Sequence, residues 1–155
     1  MENKMELGAN GVKLIKQWEG FVDHSYHGEL DPPDVWTMGY GSTYWNGEKV
    51  VPGMTCTEAE ASEQLRQTCQ KIYGDAVNRL VTVPLNQNQF DALVSWTYNL
   101  GVGSLEQSTL RRILNAGDYA GVPAQIIRWN IADGHPVEGL TNRRKAEGVL
   151  WNTPI

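Results

Sequence analysis

The chain has 155 residues, of which 41% are hydrophobic, enough for one folded domain or two small lobes sharing a core, and the composition argues against disorder. Its formal charge of −5 disfavours nucleic acid and other polyanions as general partners. No apolar run approaches the roughly 20 residues of a transmembrane helix, and Met1-Glu2-Asn3-Lys4-Met5-Glu6 lacks the basic head and apolar core of an export signal, so a soluble cytoplasmic chain without stable membrane insertion is expected.

Apolar residues at Val12, Leu14, Ile15 and Trp18 predict a short helix over residues 8–18 with one buried face and Asn10 as its N-cap. Gly20 is the expected left-handed terminator, which puts Glu19 at the helix C-terminus. There the negative end of the helix dipole disfavours an ionised carboxylate and helps Glu19 keep a proton. From Phe21 to Val35 no period holds, and Gly28, Asp31, Pro32, Pro33 and Asp34 form a predicted loop whose prolines extend Asp31 and Pro32. Residues 36–51 then have the pattern of strand and hairpin, turned at Asn46-Gly47. Gly39, Gly41 and Gly47 suggest a small twisted sheet approached closely by another backbone or a ligand.

Thr57-Glu58-Ala59-Glu60 has the form of a capping box and opens a long helix over 57–80, with Ala61, Leu65, Cys69, Ile72, Ala76 and Leu80 as one apolar stripe. Cys56 and Cys69 then lie more than three turns apart, about 20 Å, and are expected to be free thiols. Leu85-Asn86-Gln87-Asn88-Gln89 looks like a second capped start. Residues 90–100, apolar nearly all round, suit the buried centre of a helical lobe, ended by Gly101 and Gly103. Short helices are expected over 108–115, 118–130 and 141–151. On the last of these Arg143 and Glu147 have the i, i+4 spacing of a weak surface pair, while Arg111 and Arg112 look like a solvated helix face. The predicted architecture is one α+β domain: a small lobe over 11–56 with a helix and a short antiparallel sheet, a bridging helix over 57–80, and a helical lobe over 81–155 with the N-terminal segment.

Cleaving a glycosidic bond takes a protonated acid at the leaving oxygen and a second carboxylate that handles water or the developing cation. Glu19 at a helix end and Asp31 in a polar loop are the candidates, with Thr37 placed to orient the water. Asp34 and Glu29 are rivals for the second carboxylate. His24, His27, Asp23 and Glu29 fit no zinc spacing, and neither a metal nor another cofactor is expected. Of the tryptophans, Trp18, Trp96, Trp129 and Trp151 fall on apolar helical patterns, while Trp36 and Trp45 are expected to pack, with stacking on sugars as the alternative.

The run Gly11-Val12-Lys13-Leu14-Ile15-Lys16-Gln17-Trp18-Glu19-Gly20, then Asp31 five residues before Thr37-Met38-Gly39-Tyr40-Gly41, resembles the phage-type lysozymes (endolysins) of glycoside hydrolase family 24. Asn99-Leu100-Gly101, Ser108-Thr109-Leu110-Arg111, Arg128-Trp129-Asn130 and Gly139 to Glu147 extend the similarity, in order, over almost the whole chain. The resemblance implies a muramidase that hydrolyses the β-1,4 bond between N-acetylmuramic acid and N-acetylglucosamine in peptidoglycan. It implies Glu19 as general acid, Asp31 and Thr37 at the water or the oxocarbenium-like transition state, Tyr98 and Thr109 facing substrate, and Arg143 as the arginine that reaches the catalytic glutamate. Such an arginine favours the ionised glutamate, opposing the helix end. The resemblance further implies a monomer held in the host cytoplasm until a holin opens the membrane. A lytic transglycosylase and a non-catalytic peptidoglycan-binding protein are the alternatives.

The chain departs from the family pattern twice. Eleven residues, Gly20 to Leu30, separate Glu19 from Asp31 where eight are usual, placing an insertion within His27-Gly28-Glu29-Leu30. Ser42 replaces the usual histidine after Gly-Tyr-Gly.

Overall fold

In the computed structural model, which describes residues 4–155, the first helix, α1, spans Ala9–Trp18. Asn10 lies inside it rather than capping it. The first-turn N–H groups of Gly8 and Gly11 donate instead to the two carboxylate oxygens of Asp91, at 2.9 and 3.1 Å, and Asn10 Nδ2 donates to Asn88 Oδ1 at 3.0 Å. An acid 80 residues away in sequence therefore does the work of a local N-cap. At the other end Gly20 has no positive φ. The helix closes when the Glu19 N–H turns back to the Lys16 carbonyl at 3.2 Å, and the chain runs on into a strand without the reversal that a left-handed glycine provides.

The chain divides into two compact units, one of residues up to Leu14 together with Cys69–Ile155, the other Ile15–Thr68. In the second unit, β1 (Val22–Tyr26) pairs antiparallel with β2 (Thr37–Gly39), with Val22 opposite Gly39 and Tyr26 opposite Thr37. The loop expected over 21–35 is thus partly strand. Val-Asp-His-Ser-Tyr buries only Ser25 and shows no period. What makes it a strand is hydrogen bonding on both edges, to β2 and, through Ser25 N–H to Met54 O and Cys56 N–H to Asp23 O (both 2.9 Å), to the segment before the next helix. A hairpin joins β3 (Tyr44–Trp45) to β4 (Glu48–Lys49). Its turn has φ of 51° at Asn46 and 87° at Gly47, the doubly positive pair that Asn-Gly tolerates. The close approach at Gly39 is made by side chains of the same unit. A Cβ there would meet the Ala61 methyl at 3.0 Å and the Trp45 ring at 3.1 Å.

Residues 58–80 are helical throughout, as α2 (Glu58–Cys69), a π-helical turn (Gln70–Gly74) and α3 (Asp75–Leu80). The capping box forms: Glu60 N–H donates to Thr57 Oγ1 at 3.2 Å and Thr57 N–H to Glu60 Oε1 at 2.9 Å. The π turn breaks the predicted stripe. Ala61, Leu65, Cys69, Ala76 and Leu80 are buried, but Ile72 is 49% exposed, because a wider turn rotates the residues within it off the buried face. Gln70, which opens this turn, accepts from Leu7 N–H at 2.7 Å and donates to Met5 O at 3.0 Å, binding the N-terminal segment. Cys56 and Cys69 are free thiols.

In the first unit α4 (Gln87–Leu100) begins with the predicted capping box of Asn86 and Gln89 and is buried from Phe90 to Thr97. Gly101, with φ of 97°, ends it, whereas Gly103 lies inside α5 (Val102–Glu106). There follow α6 (Thr109–Asn115), α7 (Val122–Ile127), β5 (Ile131–Ala132), β6 (His135–Pro136) and α8 (Glu138–Trp151). The helix expected over 118–130 is shorter and the last helix longer than predicted. Between them Asp133-Gly134, both with positive φ, turns a small hairpin. Helix α4 packs on α8, and Phe90, Leu93, Trp96, Leu105, Leu114 and Ile126 are fully buried in this unit. Each such side chain contributes about 1.5–3 kcal/mol on burial.

Candidate active site

Glu19 stands half-buried one residue beyond α1. Asp31 is exposed in the connection between β1 and β2, and the loop around it is closed rather than slack. Its N–H donates to the Gly28 carbonyl at 3.1 Å while its Oδ2 accepts the Gly28 N–H, also at 3.1 Å. His27 brackets this turn. Its Nε2, protonated, donates to the Pro32 carbonyl at 2.9 Å, and its ring meets Trp36 edge-on at 5.6 Å. Of the rivals, Asp34 is exposed with Lys49 Nζ at 3.6 Å, and Glu29 is exposed at the tip of the turn. Thr37 opens β2 and is 8% exposed.

A cluster with no local sequence signal lies one turn before Glu19. Oε2 of Glu58 takes three donors: Lys16 Nζ at 2.7 Å, Tyr40 Oη at 2.6 Å and Ser62 Oγ at 2.7 Å. The Lys16 hydrogen bond first, then those from Tyr40 and Ser62, lower the Glu58 carboxyl to about 2. Burial, and then its bond to Glu58, raises Tyr40, while Glu58 raises Lys16. The last turn of α1, the Gly39-Tyr40-Gly41 turn and the start of α2 are thereby tied at one carboxylate. Ser42 closes this turn through paired backbone bonds with Met38 at 2.9 and 3.0 Å.

Tyr98, Thr109 and Arg143 belong to the other unit. Half-buried on α4, Tyr98 meets Tyr73 edge-on at 5.3 Å, and the Arg143 guanidinium lies 5.8 Å from its ring centre. Arg143 is not in a weak surface pair. It is 6% exposed, and its Nε is 3.7 Å from Glu147 Oε2. Glu147 is fully buried and taken by nearer groups: Arg144 Nη2 at 3.1 Å, Ser95 Oγ at 2.7 Å, and Arg144 Nε 2.7 Å from Oε1. That last contact is off hydrogen-bonding angle and acts as a Coulomb contact. Burial pushes Glu147 up and Arg144 down, the signature of a desolvated pair. Because α8 packs on α4, the spacing that predicted a surface pair lies on a buried face.

Thr109 is the first residue of α6, after Ser108, whose Oγ caps the helix by accepting from Arg111 N–H at 2.9 Å. Arg111 is less solvated than expected. Its Nε and Nη1 donate, each at 3.0 Å, to the carbonyls of Leu80 and Glu106, near the ends of α3 and α5. Among the described residues no three His, Cys, Asp or Glu side chains gather as a metal site, and no helix is long and apolar enough to cross a membrane.

The family model for phage lysozyme matches residues 16–147, a span that contains every candidate named above. The chain belongs to the phage lysozyme family. It is 38% identical to the endolysin of Bacillus phage PZA over 149 residues, 96% of this chain but 56% of that relative, so it spans little more than half of the PZA protein's length. A crystal structure of a P22 lysozyme mutant superposes with a TM-score of 0.85 at 34% identity, covering 97% of this chain and 100% of that one. The muramidase domain of SpmX from Asticaccaulis excentricus gives 0.80 at 33% identity, covering 97% and 100%. The fold is α+β and lysozyme-like.

Proposed function

We propose that the chain is an endolysin that hydrolyses the β-1,4 bond between N-acetylmuramic acid and N-acetylglucosamine in bacterial peptidoglycan, lysing the host cell. The observation that carries this reading is the family match across Glu19, Asp31 and Thr37 together. Glu19, as general acid, gives its proton to the glucosamine oxygen as the muramic acid C1–O bond breaks. Asp31 takes the proton of the incoming water or stabilises the oxocarbenium-like transition state, and Thr37 orients that water. Tyr98 and Thr109 contact the saccharide, and Arg143 supports Glu19. The reaction takes no cofactor. In the same proposal the protein acts as a monomer and reaches the wall from the host cytoplasm once a holin has permeabilised the membrane.

The test is clearing of cell-wall suspensions by Asp31→Asn beside Asp34→Asn. The exposed Asp34–Lys49 pair is worth about 0–1 kcal/mol, so Asp34→Asn folds and clears at close to the wild-type rate. Asp31→Asn loses on the order of 100-fold or more. The reverse pattern moves the second carboxylate to Asp34.

A further inference from the structure

We propose that Gly28, within the lengthened segment before Asp31, is a positioning residue that fixes the Asp31 carboxylate. The inference rests on Asp31 being the second carboxylate. Gly28 holds Asp31 at two points, through the carbonyl that accepts the Asp31 N–H and through the N–H that donates to Oδ2, each at 3.1 Å. A backbone donor on one oxygen favours that orientation of the carboxylate by about 0.5–1.5 kcal/mol over the others a solvated loop acid samples. The extra residues thus make a closed turn that presents the acid. Glu29 and Leu30 lie at its exposed centre, and Leu30 is 98% exposed, so the turn is built from its two ends and not by packing of its tip.

Only glycine fits this arrangement. A Cβ built at residue 28 clashes with Asp31 Oδ2 and lies 2.8 Å from its Cγ, and the nearest atoms it meets beyond its chain neighbours all belong to the Asp31 carboxyl. Gly28 has no positive φ, so alanine adopts the same backbone without strain. Gly28→Ala is therefore a selective perturbation. It evicts the carboxylate from its seat and leaves the backbone alone.

Two readouts separate positioning from a structural role. Soluble glycan strands with free stem peptides give kcat and KM. Gly28→Ala is expected to lower kcat by about 10- to 100-fold with KM within about twofold of wild type, the cost of a reacting group displaced by roughly an ångström. In 15N-resolved NMR of the whole protein, the residue 28 amide proton is expected to shift with pH in step with the Asp31 carboxyl in the wild type, and to lose that dependence in both Asp31→Asn and Gly28→Ala. Wild-type kcat in Gly28→Ala, with Asp31→Asn inactive, overturns the positioning role alone. So does a residue 28 amide that ignores Asp31 in the wild type. An active Asp31→Asn overturns the underlying assignment of Asp31, whatever Gly28→Ala does.

Discussion

Asp91 shows how much one side chain can organise. With no exposed surface, it accepts the N–H groups of Gly8 and Gly11 and one from the Gln87 side chain at 2.8 Å, so α1 starts on a carboxylate supplied by α4. Burial raises its pKa above the ordinary 3.8, against the pull of these three donors. Gly11 is matched to it: a Cβ there would lie 2.5 Å from Leu7 Cδ1 and 2.8 Å from Asp91 Cβ. Asp91→Ala leaves the donors without a partner and is expected to cost about 1–3 kcal/mol in urea unfolding. A variant as stable as wild type would show that water replaces the carboxylate at no cost.

Two element junctions make predictions of opposite character. Where α1, the turn after β2 and α2 meet, the Lys16–Glu58–Tyr40 cluster is half-exposed, with Glu58 51% open to solvent. The folded carboxyl, at about 2, lies below its ordinary 4.5, so its stabilising contribution is complete above about 4.5 and disappears as the pH falls through about 2. Wild type is expected to melt above Glu58→Gln near neutrality, with the gap closing between these two values. A gap unchanged at the acid end would mean that charge plays no part. Where α4 meets α8, Glu147 and Arg144 are buried, and Glu147→Gln leaves a guanidinium uncompensated, a loss of about 3–5 kcal/mol. Unfolding of that variant by guanidinium chloride measures it, and a loss below about 1 kcal/mol would contradict a desolvated pair.

The elements that were legible in the sequence are those whose determinants are local. Thr57-Glu60 and Asn86-Gln89 carry both halves of a capping box within four residues, and Asn46-Gly47 needs only its own dihedral freedom. What was hidden depends on distant partners. No pattern within Val22–Tyr26 reveals that both its edges are bonded, and nothing near Gly8 announces Asp91. The π turn hides its effect on Ile72 because the stripe keeps a helical period on either side of it.

For the molecule as a whole, the resemblance points to Glu19, Asp31 and Thr37 as the proposed site, whereas the Gly28 seat of Asp31 depends on how the turn closes and carries no signal in the sequence. A protein of net charge −5 gains no long-range attraction to an anionic wall, so the proposed hydrolysis would rest on local chemistry centred on Glu19. The most direct measurement of that chemistry is mass spectrometry of the glycan ends released from purified peptidoglycan by wild type and by Glu19→Gln. Hydrolysis predicts reducing N-acetylmuramic acid ends from the wild type and almost none from Glu19→Gln. Anhydromuramyl ends, or equal release by the two proteins, would contradict it.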